Sequence, residues 1–261
     1  MTEQDGIRTF INGRRIPPDQ VRAWEERRLR AVFRRLASGL GPRATAELSP
    51  GLPIADVLRA PIDVQREALT AMKTQLGHAG IYSLLRRELA VSELTTRATV
   101  AASRGRTAGS VTRLEAPGMA AEGFAAWFND LTTSNREAAM LIACPDHHLL
   151  RGLPDGRQEV VETTGGTPTA SRFLVDYTRS DRLSTAADPA YPIQIAGLAL
   201  LDDGTCIGGV RHQQRDRDGG LEALLTVEFP ALVPARFLRE HQWHLAVEFG
   251  NWLTGFAGDR G

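Results

Sequence analysis

An α+β fold is expected from three features of this chain. About a hundred residues at the start carry helical patterning, the second half is a run of β-rich segments separated by Asp/Gly turns, and one long helical segment closes the sequence. The helical start opens at Pro17-Pro18-Asp19, where proline and an acid suit a first turn. Val21, Trp24, Leu29, Val32, Phe33 and Leu36 then recur as one apolar stripe. The opposite face carries Arg22, Arg27, Arg28, Arg34 and Arg35. Glu25 and Glu26 are interleaved with them, so this face reads as solvated or dimer-facing rather than as a nucleic-acid contact. After the Pro/Gly-rich stretch 40–61, residues 63–89 return to an amphipathic helix through Val64, Leu69, Met72, Leu76, Ile81, Leu84 and Leu85. Gly77 and Gly80 are expected to break it in two.

From Gly109 the texture changes. Residues 110–115 read as a short strand closed by Ala116-Pro117-Gly118, and a helix follows with Phe124, Trp127, Phe128 and Leu131. A second helix covers 136–142, and Cys144-Pro145-Asp146-His147-His148 stands at its end. Strand character then runs through 159–164, 172–178, 193–201, 205–213 and 221–229. Asp202-Asp203-Gly204 and the segment 216–220 are turn signals that make the last three strands antiparallel hairpins. The final helix is expected from Pro234 to about residue 253. This order is that of a helix-grip (START-like) domain, in which an antiparallel sheet curls around its last helix and leaves a cavity between them. Residues 1–108 form a helical N-terminal region on this reading, and residues 109–261 the helix-grip domain. The patch 180–189 reads as flexible, and the pairs Gly165-Gly166 and Gly208-Gly209 as bulges that curve the sheet.

Composition narrows the function classes. Lys+Arg and Asp+Glu both total 31, so bulk charge points to neither a nucleic acid nor a membrane surface. Two cysteines, Cys144 and Cys206, make no disulfide framework and no zinc-finger spacing, and read as small buried hydrophobes. There is no uninterrupted apolar run of membrane-spanning length and no signal-peptide pattern, so a cytoplasmic location is expected.

The chemistry concentrates in the histidines. Of the six, only His78 lies in the first half. His244 and Glu248 are four apart on the final helix, stacked on one face where both could hold one divalent ion. Further candidate ligands lie in the Cys144–His148 segment and at Glu162, which alternation places on the face opposite Val161. Two imidazoles and two carboxylates suit zinc, or less selectively manganese or iron. His147 reads as a neighbour of the ligand or an exposed residue, and His241 as an outer-face helix residue.

Residues 117–256 resemble the 2,4-diacetylphloroglucinol hydrolase and phloretin hydrolase family, zinc-dependent enzymes that cleave a carbon–carbon bond between an acyl group and a polyhydroxylated ring. The resemblance rests on five motifs in order. They are Pro117-Gly118-Met119 with Phe124, Trp127 and Phe128; Pro145-Asp146-His147-His148; Glu162 ahead of Gly165; His212-Gln213-Gln214-Arg215-Asp216 with Gly219; and His244, Glu248 and Asn251. It implies a four-ligand site of His148, Glu162, His244 and Glu248. It further implies retro-Claisen hydrolysis of an acylphenol or β-diketone-like substrate, with His212 as proton shuttle or oxyanion donor. The chain departs from the family at Arg151, where an amide side chain is usual, and in having only Tyr82, Tyr177 and Tyr191. Arg151 pointing inward would pair with an anionic substrate group, whereas outward it is a solvated loop residue. Other readings stand beside these: a metal-free helix-grip cyclase or carrier, His212 merely satisfying a hydrogen bond within the sheet, and N-terminal helices that mediate a homodimer or dock a partner.

Overall fold

A computed structural model describes residues 6–48 and 53–259. Residues 49–52, within the Pro/Gly-rich stretch, lie outside the described residues. The elements in order are β1 (Arg8–Ile11), β2 (Arg14–Ile16), α1 (Pro18–Leu48), α2 (Ile54–Val57), α3 (Ile62–Ser103), β3 (Thr107–Pro117), α4 (Ala121–Thr133), α5 (Glu137–Ile142), β4 (His147–Gly152), β5 (Gln158–Glu162), β6 (Ser171–Asp176), β7 (Ile193–Leu200), β8 (Cys206–Arg217), β9 (Gly220–Pro230) and α6 (Ala235–Gly258). Among the described residues, nine strands form one antiparallel sheet in the order β2-β1-β3-β9-β8-β7-β6-β5-β4. The long helix α6 lies against this sheet. The architecture is the α+β helix-grip type.

The core between sheet and helix is built from alternate strand residues and one stripe of α6. Leu114, Leu150, Val160, Val175, Ala223 and Leu225 meet Leu245, Phe249, Trp252 and Phe256, and α4 adds Phe124. Phe128 stacks on Phe249 at 5.6 Å and meets Trp252 edge-on at 4.9 Å. Each such aromatic contributes roughly 2–3 kcal/mol through burial, and its pair geometry adds up to about 1 kcal/mol. Asp218-Gly219 turns β8 into β9 with φ of 50° and 76°, the left-handed pair a type I′ hairpin requires.

The N-terminal region is not purely helical. Asn12-Gly13, with φ of 52° and 74°, makes a two-residue turn between β1 and β2, and β1 pairs with β3 through Arg8↔Glu115 to Ile11↔Thr112. The strongest short hairpin dipeptide was thus present in a segment that the helical patterning overshadowed. Helix α1 kinks at Gly41 (φ 79°), and α3 breaks at Gly77 (φ 61°, ψ 177°) but not at Gly80, then runs on to Ser103. Ile81 and Leu85 of α3 pack on Leu149 and Val161, covering the face of β4 and β5 turned away from α6. The outer edge of the sheet is therefore a three-layer sandwich of α3, strands and α6. Helix α1 reaches the other side of α6, where Trp24 packs with Cys144 and Val247.

Four smaller expectations are corrected. Pro234 caps α6 rather than opening it, and the helix passes Gly255. Cys206 is exposed, because it leads into β8 at the sheet's rim. The 180–189 patch is held by the Arg211 guanidinium, which donates to the Ser180 and Thr185 carbonyls, and by the Glu228 carboxylate, which accepts from the Ser184 and Thr185 amides. Of the two glycine pairs, Gly208 does sit at a shift of register between β7 and β8. Gly165 instead sits in a 3₁₀ turn pressed onto α6, where a Cβ would stand 2.7 Å from the His241 amide nitrogen and 2.8 Å from the Phe237 carbonyl.

Candidate metal centre and cavity

A cavity of about 480 Å³ lies between the concave sheet and α6. Its walls are largely apolar, with Phe128, Leu150, Val160, Phe173, Val210 and Phe249 among them. Val91 and Thr95 of α3 also line it, and Val91 is exposed, so the cavity meets solvent there. Polar side chains gather at one end, where Glu162, His244 and Glu248 meet the buried His147.

Four donor groups converge at that end. His147 Nε2 stands 3.3 Å from His244 Nε2, 3.3 Å from Glu248 Oε1 and 3.9 Å from Glu162 Oε2. His244 Nε2 stands 3.9 Å from Glu162 Oε2 and 3.9 Å from Glu248 Oε2. Ligands about 2.0–2.1 Å from a tetrahedral ion stand about 3.3–3.4 Å from one another, so these edges describe a slightly expanded coordination shell. His147 Nδ1 lies 3.0 Å from the Met140 carbonyl, which fixes its proton on Nδ1 and leaves a lone pair on Nε2. That nitrogen faces a second imidazole nitrogen and two carboxylates, a set of donors that could hold a cation. Two overlapping sets extend the cluster: Cys144 with His147 and His244, and Glu162 with His241 and His244. In the first, Cys144 Sγ sits 3.8 Å from His244 Nδ1, behind the ring rather than on its Nε2 side. Burial pushes that thiol well above its ordinary pKa, with Asp146 and Glu248 adding to the shift, so it stays protonated.

The electrostatics follow from burial among like groups. Burial lifts Glu162 to about 7 against the pull of His147, and Glu248 pushes it further up. His147 is raised because the carboxylates of Glu248 and Glu162 outweigh its own desolvation. His244 is held well below the ordinary histidine value by burial, then by His241 and His147. Two buried carboxylates beside the neutral His244 are costly to keep charged in an apolar pocket, and a divalent ion held there would offset that cost.

The ligand set implied by the sequence is corrected at one position: His147, not His148, joins the cluster. Cys144–His148 does not finish a helix. Its last two residues open β4, where His147 pairs with Glu162 and Leu149 with Val161. His148 is the extra residue of this bulge. Simple alternation back from Leu150 would aim His148 at the cavity, but the bulge shifts the parity and presents His147 there. His148 faces the α3 side, its Nε2 2.9 Å from Thr163 Oγ1, and burial together with Lys73 and Arg35 keeps it neutral. Arg151 is corrected likewise. It donates to Glu159 at 2.8 Å and lies 2.7 Å from His78 Nδ1, on the sheet face opposite the cavity. Asn251 holds Glu25 and the Ala143 carbonyl, behind the helix.

His212 lines the cavity from β8, its ring edge-on to Phe249 at 4.7 Å, and burial lowers its pKa to about 3. His241 is no outer-face residue. It is buried, lines the same cavity and lies parallel to His244 at 5.0 Å, because Gly165 lets the α6 backbone press close at this point.

The arginine face of α1 supplies support that helical patterning could not reveal. Arg28 makes a bidentate pair with the buried Asp146 at 2.9 and 2.7 Å, next to His147. Arg35 donates to Thr163 Oγ1 and the Pro168 carbonyl, both at 2.7 Å. The buried Lys73 ammonium donates to the carbonyls of Pro145 and His147. Three cations of the N-terminal helices thus hold the segment that leads into the bulge and the Thr163 end of the neighbouring strand.

No family model matches the chain, and no curated protein matches its sequence. Among solved structures, the crystal structure of Ara h 8.0201 aligns with a TM-score of 0.38 at 11% identity, covering 59% of this chain and 99% of that one. Protein Ms6760 from Mycobacterium smegmatis aligns with a TM-score of 0.33 at 12% identity, covering 57% and 89%. Among the described residues no helix is long and apolar enough to cross a membrane.

Proposed function

We propose that this chain is a metal-dependent hydrolase that cleaves a carbon–carbon bond in an acylphenol or other β-diketone-like compound. Supporting this reading is the convergence of His147, Glu162, His244 and Glu248 at the polar end of an apolar cavity, together with the ordered motifs that resemble the diacetylphloroglucinol and phloretin hydrolases. Two imidazoles and two carboxylates fit zinc, with manganese or iron less favoured. A divalent ion there supplies Lewis acidity, polarising a carbonyl oxygen and lowering the pKa of water. The apolar walls bind the carbon skeleton, exclude bulk water and set the acyl carbonyl against the polar end. Water adds to that carbonyl carbon, the bond to the ring or α-carbon breaks, and the electron pair leaves as an enolate. A proton delivered to that carbon completes a carboxylic acid and a phenol or ketone. His212, on the wall rather than in the ligand cluster, is the side chain assigned to donate a hydrogen bond to the carbonyl oxygen as charge develops on it, while the proton that water releases goes to the carbon.

Metal analysis of the purified chain and zinc titration of H244A and E162Q test the site, and turnover of acylphenols and β-diketones tests the reaction. One ion per chain, lost in both variants, is expected; a wild type that binds no divalent ion refutes the proposal. The apolar character of most of the cavity favours a second reading, a metal-free cyclase or carrier for a polyketide-like molecule. That reading requires ligand binding unaffected by H244A. A homodimer through the exposed α1 residues Arg27, Arg30 and Arg34 is proposed alongside, to be checked by light scattering.

A further inference from the structure

Two further imidazoles line the cavity, His241 next to the four-residue cluster and His212 on β8, and their surroundings assign their protons. Ser110 Oγ donates to the Leu238 carbonyl at 3.1 Å, which uses its only hydrogen. His241 Nδ1, 3.3 Å from the same oxygen, must therefore be the donor to it. That leaves His241 Nε2 as a bare acceptor. His212 is the converse case. Its Nδ1 is buried without a partner, and an orphaned N–H costs more than an unused lone pair, so the proton belongs on Nε2. Among the described residues neither Nε2 has a hydrogen-bond partner, and neither is among the buried unsatisfied atoms, so both open onto the cavity.

We infer that His212 and His241 extend the polar end of the cavity with a fixed donor and a fixed acceptor, which bind a hydroxyl-bearing ligand and select hydroxylated ketones over their deoxy analogues. A phenol or enol O–H donates to His241 Nε2 while an oxygen lone pair of the ligand accepts from His212 Nε2–H. Ser110 is the positioning residue that sets this polarity, since without it His241 is free to move its proton to Nε2 and become a second donor. The assignment rests on reading the cavity as a ketone site, but the tautomers do not depend on metal or turnover.

The test is made on the full chain with EDTA present at pH 7.5. Histidine ¹⁵N correlation spectra should show His241 as the Nδ1–H tautomer and His212 as the Nε2–H tautomer. The reverse assignment for either ring overturns the inference. Calorimetry should show 4-hydroxyacetophenone binding about tenfold more tightly than acetophenone, the effect of one hydrogen bond and one unpaired buried acceptor. Ser110→Ala should reduce that ratio several-fold, and an unreduced ratio overturns the role of Ser110 in setting the polarity. Equal affinity for both compounds in the wild type overturns the inference. If neither binds, the ketone-site reading falls with it, whereas loss of zinc binding alone would leave the ratio intact.

Discussion

Exchanging adjacent histidines separates the two possible parities of β4. His147→Gln removes the imidazole that stands 3.3 Å from His244 and Glu248 and 3.9 Å from Glu162, while His148→Gln changes a ring on the other face of the sheet. Loss of a group that merely orients a metal ligand costs roughly 10–100-fold in affinity, so loss of the ligand itself should cost on the order of 100-fold or more. At saturating zinc, a 100-fold weaker affinity forfeits about 2.7 kcal/mol of metal-linked stability. For a chain of this size that corresponds to roughly 5–10 °C in the thermal midpoint. Thermal unfolding with and without zinc, paired with competition against a chelator, measures both quantities. H147Q should lose most of the zinc-induced rise. H148Q should unfold at a lower temperature than wild type, because a buried ring and its hydrogen bond with Thr163 are lost, yet show the full zinc-induced rise. The opposite pattern, with H148Q blind to zinc and H147Q responsive, would refute the bulge argument.

Other consequences concern the supports of the site. Arg28→Ala leaves the fully buried Asp146 carboxylate unpaired and should destabilise the chain by about 3 kcal/mol in urea denaturation, with partial recovery in the double variant carrying Asp146→Asn. Gly165→Ala introduces a Cβ 2.7 Å from the α6 backbone at a φ of +55°, and should cost at least about 2 kcal/mol and weaken zinc binding together. His212 has a folded pKa of about 3 against an ordinary 6.5, so the unfolded chain takes up its proton first as pH falls. Its contribution is complete above pH 6.5 and is lost progressively down to about 3, with a slope of about 1.4 kcal/mol per pH unit. H212Q should therefore flatten the stability–pH curve in that window, and an unchanged slope would show that the ring is solvated.

Much of the architecture was legible because it rests on local rules. Alternating runs with Asp-Gly turns located the five strands from β5 to β9, and the Pro234 signal with its apolar stripe located α6. Glu162, His244 and Glu248 were readable for the same reason: a period of two on β5 and of four on α6 places each on the cavity side without knowledge of the rest. His147 was not readable in this way. A bulge is a tertiary event, imposed here by Lys73, Arg28 and Arg35 holding the carbonyls and side chains around it, and it reverses the face that alternation assigns. The same distance in sequence hid the role of α1, whose arginines look solvated until Asp146 and Thr163, more than a hundred residues away, come to meet them. His241 was misplaced because its burial depends on Gly165 admitting the α6 backbone. The β1–β2 hairpin was hidden only by the strength of its helical neighbours, since Asn12-Gly13 stood in plain view.

Zinc-edge anomalous diffraction from crystals of the full chain grown with stoichiometric zinc reads the site directly. A single peak within about 2.0–2.2 Å of His147 Nε2, His244 Nε2 and carboxylate oxygens of Glu162 and Glu248 is the expected result. A peak at His148, or crystals that hold no ion between α6 and β4, would contradict the assignment of this cavity as a metal centre.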